Sequence, residues 1–361
     1  MTNVCVAGYS IYSPLGDCQK TYNRICLKEH LFSNYLKSSE KLLASQFTKS
    51  QINTLNPRIS RFDNIASRAL LDLKDSTQSL KGRGLLILAS TKGNLDYLEK
   101  NEAKISLHQS AKILADQVGI DDSLVISNAC SSGVIAIITA KRYLDSELYK
   151  YCIVVGAEVL SDFIISGFQC LNGLSKEPCK PFDIDRSGLT LGEGAAAILL
   201  TVSPKVSGQI SISGGAMSND ANHITGPSKT GVALADAISR AMKEAKIDSS
   251  MVNFISAHGT GTIYNDEMES KAFNLAGLSS VPLCSLKGSL GHTLGASGVL
   301  ETALCIHSLK KQNSLPTLGF SKLGVPKKLN VCTKSEPLRM DYLLKTASGF
   351  GGTNAAIIIN R

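Results

Sequence analysis

Short runs of apolar, often β-branched residues alternate with helix-like patterns along most of this 361-residue chain. Such alternation is typical of α/β proteins, whose strands are largely buried. In the first half of the chain the predicted strands are Asn3–Ala7, Gly84–Ala89, Leu124–Ser127, Cys152–Gly156 and Ala195–Thr201. In the second half they are Gln209–Gly214, Asn253–Ser256 and Val281–Ser285.

The two halves of the chain repeat a similar order of strands and helices. The predicted helices run from Ser131 to about Tyr149, from Gly231 to Ala245 and from Gly298 to Lys310. Pro204, Ser207 and Gly208 interrupt the pattern between the halves. We therefore divide the chain into residues 1–205 and 206–361. Since no flexible linker separates them, we expect the halves to share one continuous core.

The composition is that of an ordinary globular protein. Hydrophobic residues make up 43% and charged residues 19% of a chain that is long enough for a large core. The ten cysteines form no CxxC pair, so we expect reduced thiols in a cytoplasmic protein. Residues 1–16 show no signal-peptide pattern, and no apolar run reaches the ~20 residues that span a bilayer. We therefore expect no membrane span.

The formal net charge of +8 is compatible with several kinds of partner. Nucleic acid, an anionic membrane surface and an acidic protein would all be attracted, and a merely solvated basic surface explains the charge equally well. The sequence contains no basic stripe interleaved with aromatic residues and no helix-turn-helix or RNA-binding signature. Nucleic acid is therefore a poor candidate partner.

One cysteine stands at a predicted strand-to-helix junction, in Val125-Ile126-Ser127-Asn128-Ala129-Cys130-Ser131-Ser132-Gly133. At a helix N-terminus, unpaired backbone N–H groups and the positive end of the helix dipole favour the thiolate, which is the form that attacks carbonyl carbon. Most free cysteines are simply small buried residues, and that interpretation suits the other nine. The small residues that follow Cys130 make it the candidate nucleophile.

Four glycine-rich segments lie at predicted strand-to-loop junctions of the second half, where glycine lets the backbone approach a ligand closely. Two of these segments contain a histidine, which favours a functional role over an ordinary structural one. A zinc site made by Cys130, His258 and His292 is an alternative, but these residues lack local ligand spacing and a fourth ligand, so we expect no metal. The segments are His258-Gly259-Thr260-Gly261-Thr262, Lys287-Gly288-Ser289-Leu290-Gly291-His292, Gly295-Ala296-Ser297-Gly298 with Glu301, and Gly349-Phe350-Gly351-Gly352-Thr353-Asn354.

Together with segments of the first half, these motifs resemble the 3-oxoacyl-(acyl-carrier-protein) synthases, the condensing enzymes of the thiolase fold, and in particular their elongating Cys-His-His type. The resemblance implies a thiolase-like α/β fold of two similar halves, whose central mixed sheets sandwich buried helices in the layer order α-β-α-β-α. The motifs occur in family order along nearly the whole chain: Ser13-Pro14-Leu15-Gly16, Ala129-Cys130-Ser131-Ser132-Gly133, Pro181-Phe182-Asp183 with Arg186, Gly192-Glu193-Gly194-Ala195, His258-Gly259-Thr260, Asn265-Asp266 with Glu269, Gly291-His292 and Gly349-Phe350-Gly351-Gly352-Thr353-Asn354.

The resemblance also implies a role for each reacting group. Cys130 would take the acyl chain from a carrier-protein thioester, and the backbone N–H groups of Cys130 and Phe350 would form the oxyanion hole. As neutral donors, His258 and His292 would stabilise the enolate left when a malonyl unit loses carbon dioxide. That enolate would attack the acyl group and give a 3-oxoacyl-carrier protein. No metal or organic cofactor would be bound, because the chain arrives on the carrier's phosphopantetheine arm.

Further residues are implied as supports of the two histidines. Lys287 would be buried and paired with Glu301, since burying a lysine without a partner costs several kcal/mol. Asp266 and Glu269 would belong to the same network, although an exposed acidic first helical turn explains them equally well.

Contacts with the substrate are implied in the same way. Thr260 and Thr262 would bind the pantetheine arm through their hydroxyl groups. Phe350 would gate the acyl pocket, or pack in the core, or do both.

The chain departs from the family in two respects. The stretch before Cys130 is shorter than usual, so loops that cap the site and the dimer interface must be trimmed. In Ser90-Thr91-Lys92-Gly93-Asn94, Lys92 falls where fatty-acid members carry an apolar residue that lines the acyl pocket. A cation in an alkyl tunnel is costly, so either Lys92 points away or the pocket takes a polar or conjugated chain. We therefore favour a specialised type II fatty-acid, polyketide or polyene pathway over housekeeping fatty-acid elongation.

Two alternatives compete with this interpretation. A chain-initiating synthase or a thiolase would need a Cys-His-Asn site or a second active cysteine, whereas this chain has a histidine in Gly291-His292. A non-catalytic chain-length subunit would lack the nucleophile, whereas Cys130 and both histidines are present.

The resemblance finally implies protein partners. We expect a homodimer, or a heterodimer with a paralogous synthase or chain-length subunit, and an acidic acyl carrier protein that gives the positive charge a use. Arg58 and Arg61 are the candidate docking residues for the carrier, although a solvated surface is the simpler explanation for both.

Overall fold

The computed structural model describes residues 2–35, 42–77, 80–97, 106–204 and 208–361 of the chain. The helices, in chain order, are α1 (Cys18–Cys26), α2 (Lys49–Ile52), α3 (Arg61–Leu71), α4 (Lys74–Thr77), α5 (Leu107–Gln117), α6 (Ser132–Asp145), α7 (Asp162–Cys170), α8 (Val232–Ala245), α9 (Ile263–Leu275), α10 (Lys287–Leu290) and α11 (Ser297–Lys311). The strands are β1 (Thr2–Tyr12), β2 (Phe32–Asn34), β3 (Leu43–Ser45), β4 (Gly84–Ala89), β5 (Asp122–Ile126), β6 (Tyr151–Glu158), β7 (Leu191–Gly192), β8 (Gly194–Pro204), β9 (Ser211–Asn219), β10 (Phe254–Ser256), β11 (Pro282–Cys284), β12 (Asn330–Val331), β13 (Tyr342–Gly349) and β14 (Thr353–Asn360).

The two halves of the chain build sheets with the same strand order. In the N-terminal half the strands lie side by side as β5-β4-β6-β8-β1. In the C-terminal half the corresponding strands lie as β11-β10-β13-β14-β9, with β12 added at the edge. In both halves the first three of these strands are parallel, and the fourth runs antiparallel to its two neighbours. This repeat confirms the predicted fold of two similar α/β halves with mixed sheets.

The two mixed sheets are continuous with each other at one edge. Cys5 of β1 lies opposite Ser211 of β9, and the N–H of Val6 donates to the carbonyl oxygen of Ile210 at 2.8 Å. The strands of both halves therefore form one eleven-stranded sheet, beside a small sheet of β2, β3 and β7. We propose that the halves divide between β8 and β9, where the predicted boundary near 205 lies. Residues 205–207 themselves are outside the described residues.

The strands and helices pack in five layers around three large apolar clusters. The central cluster contains α6, α11 and residues from the strands of both halves. A second cluster packs α3 and α5 on the other face of the N-terminal strands, and a third packs α8 and α9 on the other face of the C-terminal strands. The layer order is therefore α-β-α-β-α, as the resemblance implied. No helix in the described ranges is long and apolar enough to cross a membrane.

The two central helices touch at their N-terminal ends, where each has a glycine. A Cβ atom at Gly298 of α11 would lie only 2.3 Å from the backbone nitrogen of Val134. A Cβ atom at Gly133 of α6 would lie 2.6 Å from the backbone nitrogen of Val299. Only glycine allows this approach, since real Cβ atoms do not come so close to other backbone atoms. The contact brings the turn before α6 beside the loop before α11, so Cys130 and His292 lie near each other.

The predicted strands and helices all occur, with ends that differ by a few residues. The helix expected to reach Tyr149 ends at Asp145, and the strand expected at Gln209–Gly214 extends from Ser211 to Asn219. Helix α9 and the hairpin of β13 and β14 were not predicted, although they carry or support several site residues.

Candidate active site

Cys130 lies in a tight turn between β5 and α6. The preceding Ala129 has a φ of 44°, which lies in the left-handed region. Residues other than glycine seldom adopt this conformation unless local contacts hold them there. Ser132 supplies the constraint, because its hydroxyl accepts the N–H of Asn128 at 2.7 Å and donates to the carbonyl oxygen of Ala129 at 2.6 Å. The turn directs the Cys130 thiol toward the interior, where the residue is 7% exposed.

The helix start of the C-terminal half shares one feature with the Cys130 turn. Leu294, three residues before α11, also has a φ of 44°, as Ala129 has three residues before α6. Gly295 follows Leu294 where Cys130 follows Ala129. The corresponding position of the second half therefore carries no nucleophile.

The hairpin turn between β13 and β14 lies directly on the Cys130 turn. A Cβ atom at Gly349 would be 3.1 Å from the backbone nitrogens of both Cys130 and Ser131, so any larger residue would push the two turns slightly apart. The hydroxyl groups of Ser131 and Thr353 are 2.8 Å apart and tie the two turns together. The Phe350 backbone N–H forms a hydrogen bond with the Cys130 sulfur. The Phe350 ring is partly exposed and stacks on Phe168 with centroids 5.8 Å apart.

The two predicted histidines lie together and are buried. The centroids of the His258 and His292 rings are 5.1 Å apart, and their planes meet at 81°. Burial, and after it the positive charge of Lys287, lowers the pKa of both imidazoles well below the usual range, so both are neutral at pH 7. The Lys287 ammonium lies 3.4 Å from Nδ1 of His258. Since an ammonium can only donate, that nitrogen accepts and the proton of His258 is on Nε2. Nδ1 of His292 lies 3.0 Å from the hydroxyl of Ser297.

Lys287 is buried and paired with Glu301, as the resemblance implied. Its Nζ lies 2.8 Å from Oε1 of Glu301 and 2.5 Å from the carbonyl oxygen of His258. A second, unpredicted lysine, Lys345, lies 2.6 Å from the other oxygen of Glu301. Both lysine side chains are fully buried, and the two ammonium groups lower the pKa of the Glu301 carboxyl despite its burial.

Asp266 and Glu269 are also buried, so they are not an exposed first turn of α9. Glu269 accepts the backbone N–H groups of His258 at 2.8 Å and of Gly259 at 2.6 Å. Asp266 accepts the N–H of Thr260 at 3.0 Å, and burial raises the pKa of its carboxyl to about 7. The two carboxyl groups therefore hold the loop that carries His258.

The state of the Cys130 thiol differs from the prediction. The helix N-terminus was expected to favour the thiolate, but burial raises the pKa of the thiol to about 12. The positive charge of Lys287 opposes this rise, and the negative charge of Glu158 adds to it. Burial therefore outweighs the position at the helix end, and the resting residue is a neutral thiol.

A cavity of about 470 Å³ opens from the surface onto these groups. Cys130, His258 and His292 line it, together with Thr260 and Thr262, whose hydroxyl oxygens are 2.8 Å apart. Five exposed apolar residues also line it: Leu171, Ile224, Ile263, Tyr264 and Phe350. The cavity therefore gives a substrate access from the surface to a thiol and two imidazoles.

Lys92 does not line this cavity; its side chain is exposed. Its positive charge nevertheless lowers the pKa of both Cys130 and Glu158, so it lies near the other side of the Cys130 turn. Glu158 was not predicted. It is buried, it accepts the N–H of Thr91 at 2.5 Å, and burial raises the pKa of its carboxyl to about 7.

The two candidate docking arginines have different surroundings. Arg58 is exposed. Arg61 forms an ion pair with Glu193, a buried carboxylate that also accepts the backbone N–H groups of Phe47 at 2.7 Å and Leu160 at 3.0 Å. Both arginines stay predictions for carrier docking, and Arg58 is the better candidate because the Arg61 guanidinium is paired with a buried carboxylate.

In the part of the chain that the structure describes, no group of three or more His, Cys, Asp or Glu side chains could hold a metal ion.

Comparison with known families gives matches in both halves of the chain. The family model for the beta-ketoacyl synthase N-terminal domain matches residues 114–205, and the model for the C-terminal domain matches residues 210–321. A 3-oxoacyl-[acyl-carrier-protein] synthase 2 of Vibrio cholerae is 33% identical over 66% of this chain and 62% of its own length. A Streptomyces cyaneus protein named as a polyketide beta-ketoacyl synthase is 27% identical over 76% of this chain and 70% of its own length.

Solved structures resemble the whole chain. A beta-ketoacyl synthase of Burkholderia phymatum is 25% identical with a TM-score of 0.89, and the match covers 100% of both chains. A chain of the complex between the ketosynthase ApeO and its chain length factor ApeC, from Xenorhabdus doucetiae, is 26% identical with a TM-score of 0.86. That match covers 99% of this chain and 98% of the other.

Proposed function

The chain belongs to the beta-ketoacyl synthase family of condensing acyltransferases, and we propose that it condenses an acyl group held on Cys130 with malonyl-acyl-carrier protein. The product is a 3-oxoacyl-acyl-carrier protein. The observation that carries the proposal is the arrangement at the cavity, where a buried thiol faces two neutral imidazoles that are 5.1 Å apart. A thiol alone would suit many acyl transfers, whereas paired neutral donors suit the enolate of a decarboxylation.

The first step transfers the acyl chain. The Cys130 sulfur attacks the thioester carbonyl of the acyl-carrier protein, and the backbone N–H groups of Cys130 and Phe350 stabilise the oxyanion. The bond to the carrier sulfur breaks, and the thiol proton ends on the departing pantetheine thiol. Since the resting thiol is neutral, this proton must leave before or during the attack.

The second step makes the carbon–carbon bond. The malonyl carboxylate leaves as carbon dioxide, and its bonding electrons form an enolate whose oxygen accepts hydrogen bonds from His258 and His292. The enolate carbon attacks the acyl carbonyl, the bond to the Cys130 sulfur breaks, and the released thiolate takes up a proton. No metal or organic cofactor enters this sequence; the phosphopantetheine arm of the carrier delivers both substrates through the cavity, beside Thr260 and Thr262.

We propose a specialised type II fatty-acid, polyketide or polyene pathway for this reaction. Lys92 is exposed and lies outside the entrance cavity, so it does not select the acyl chain. The support for the specialised pathway is the similarity to a Streptomyces cyaneus protein named as a polyketide beta-ketoacyl synthase and to the Xenorhabdus ketosynthase solved with a chain length factor. The alternative is housekeeping fatty-acid elongation. A panel of saturated and polyunsaturated acyl-carrier proteins separates the two, because a clear preference for long saturated chains would contradict the specialised role.

A protein partner is proposed at the edge of the large sheet. Strand β5 ends the sheet and pairs only with β4 among the described residues, and all five of its residues are partly exposed. An open edge can pair with another chain, and this edge leads directly into the Cys130 turn. The Xenorhabdus ketosynthase was solved with a chain length factor. We therefore propose a homodimer, or a heterodimer with a paralogous subunit of that kind, which would complete the site beside β5.

A trapping experiment tests the reaction directly. The protein is incubated with candidate acyl-carrier proteins, and the intact mass of the Cys130 peptide is measured; malonyl-carrier protein is then added and the 3-oxoacyl product is sought. We expect an acyl adduct on Cys130 that disappears as product forms. Condensation by the purified complex that survives Cys130→Ala in this chain would leave only the role of a non-catalytic chain-length subunit.

A further inference from the structure

A lysine that the proposed reaction does not use lies beneath the histidine pair. Lys345 is on β13, between β10 and β14, and its side chain is fully buried. Side chains alternate along a strand, so Lys345 shares its face with Leu343 and Ala347, which belong to the central apolar cluster. A cation in such surroundings requires partners.

The partners of Lys345 include the strand end that carries His258. Its Nζ lies 2.6 Å from Oε2 of Glu301 and 2.8 Å from the carbonyl oxygen of Thr346 on its own strand. It also lies 3.3 Å from the carbonyl oxygen of Ala257 and 3.4 Å from that of Ser256. Lys287, on the other oxygen of Glu301, contacts the carbonyl oxygen of His258. The carbonyl oxygens of Ser256, Ala257 and His258 therefore face the ammonium groups of the two lysines, and the Glu301 carboxylate pairs with both lysines.

Stability alone does not account for this arrangement. Replacing a buried ion pair or triad by apolar residues of similar volume is often neutral or stabilising. Lys345 has apolar neighbours along its own face of β13, so a residue such as methionine would suit the same place. What methionine would lack is the positive charge.

The positive charge acts on both imidazole rings. Lys287 and Lys345 carry two positive charges and Glu301 one negative charge, which leaves one positive charge beneath the pair. Two further ionisable groups lie near the rings: Glu269 of α9, which accepts the backbone N–H of His258, and Cys130, which lines the same cavity. After burial and Lys287, the charge of Lys345 contributes to lowering the pKa of both His258 and His292.

We propose that Lys345 is a positioning residue of the active site. It fixes the end of β10 that carries His258 and, with Lys287, maintains a positive charge that keeps both imidazoles neutral donors. This inference rests on the function proposed above.

The test compares Lys345→Met with a matched control, Lys141→Met. Lys141 is another buried lysine, in α6, paired with Asp145 at 2.6 Å and Glu244 at 2.9 Å and outside the site. Removing the charge of Lys345 should raise the pKa of the histidines. The acid limb of the pH profile of malonyl decarboxylation should then move upward by about one pH unit, with a fall in kcat and little change in KM. The control should leave the limb in place.

A double variant separates charge from packing. Lys345→Met removes the net positive charge, and adding Glu301→Gln restores it, because only Lys287 then remains charged. The double variant should return the acid limb toward its original position, even if kcat stays low because His258 is less well held. A folded Lys345→Met protein with an unmoved limb, or a double variant with the limb still displaced, would overturn the proposal.

Titration of the histidine ring signals by NMR gives a readout without substrate. Of the six histidines in the chain, the two buried ones should be the ones whose titration moves upward in Lys345→Met. Unmoved signals would overturn the role of Lys345 whatever the enzyme does. A chain that shows the shift but does not condense acyl and malonyl groups would overturn the proposed function instead.

Discussion

The rings of His258 and His292 lie nearly perpendicular, with centroids 5.1 Å apart, although the two residues come from different loops. His258 follows β10, and its backbone is held by Glu269 of α9 and by Lys287. His292 follows α10, and its ring is held by Ser297 at the start of α11. The two rings thus have different side-chain partners, so we expect that one histidine can be removed without displacing the other.

Loss of either histidine should separate the two steps of the reaction. His258→Ala or His292→Ala should lower malonyl decarboxylation by about 10²- to 10³-fold, because one donor to the enolate oxygen is lost. Acylation of Cys130, measured by intact mass, should persist. His108→Ala, at an exposed histidine on α5, is the control and should leave both steps unchanged. Decarboxylation at the original rate in both single variants would contradict the proposed roles.

The Cys130 thiol should react slowly near neutral pH. Burial raises its pKa to about 12, so the rate of alkylation by iodoacetamide should rise with pH through pH 9 without reaching a plateau. Glu158→Gln should accelerate alkylation at pH 9, since the negative charge of Glu158 raises the pKa of the thiol and the amide oxygen can still accept the Thr91 N–H. Peptide mass spectrometry follows the reaction at Cys130. A plateau below pH 8 would show that the helix N-terminus outweighs burial after all.

The reacting residues could be predicted because each one stands in a short glycine-rich or small-residue segment next to a strand. Lys345 could not, because the pattern around it is simply apolar strand, and its meaning depends on Glu301 of α11, a partner remote in sequence. Glu158 was missed, and Glu193 was noted only as part of a motif, for the same reason: whether a carboxylate is buried is decided by backbone N–H groups from distant segments. The alternation of elements predicted the fold class, but the pairing of β1 with β9 is a single long-range register that no local pattern contains.

Arg61 and Arg58 should affect different properties of the protein. Arg61→Met would leave the buried Glu193 without its cation and should lower the free energy of unfolding by about 3 kcal/mol. Arg58→Met, at an exposed position, should change it by less than about 0.5 kcal/mol. Urea unfolding of the two variants measures this difference.

Binding of the carrier protein to an Arg58 variant tests the docking role of this residue. Arg58→Glu should weaken binding of an acidic carrier protein. It should also make the affinity less dependent on salt concentration, because salt weakens binding by screening the attraction that this variant loses. An unchanged affinity would remove Arg58 from the docking surface. Equal stability of the Arg61→Met and Arg58→Met proteins would instead show that Arg61 is not held by Glu193 in solution.

The contact between the central helices should be intolerant of a single methyl group. In Gly298→Ala the new Cβ would lie 2.3 Å from the Val134 nitrogen, so α6 and α11 must separate. Separation moves the Cys130 turn away from His292, and we expect both a loss of about 2 kcal/mol of stability and a fall in condensation beyond the loss of folded protein. Gly167→Ala in α7 is the control, because a Cβ there meets no atom within 4 Å and alanine favours a helix by roughly 0.5–1 kcal/mol over glycine. Thermal unfolding and activity per folded molecule measure the two effects. Full activity in Gly298→Ala would mean that the relative position of Cys130 and His292 does not depend on this helix contact.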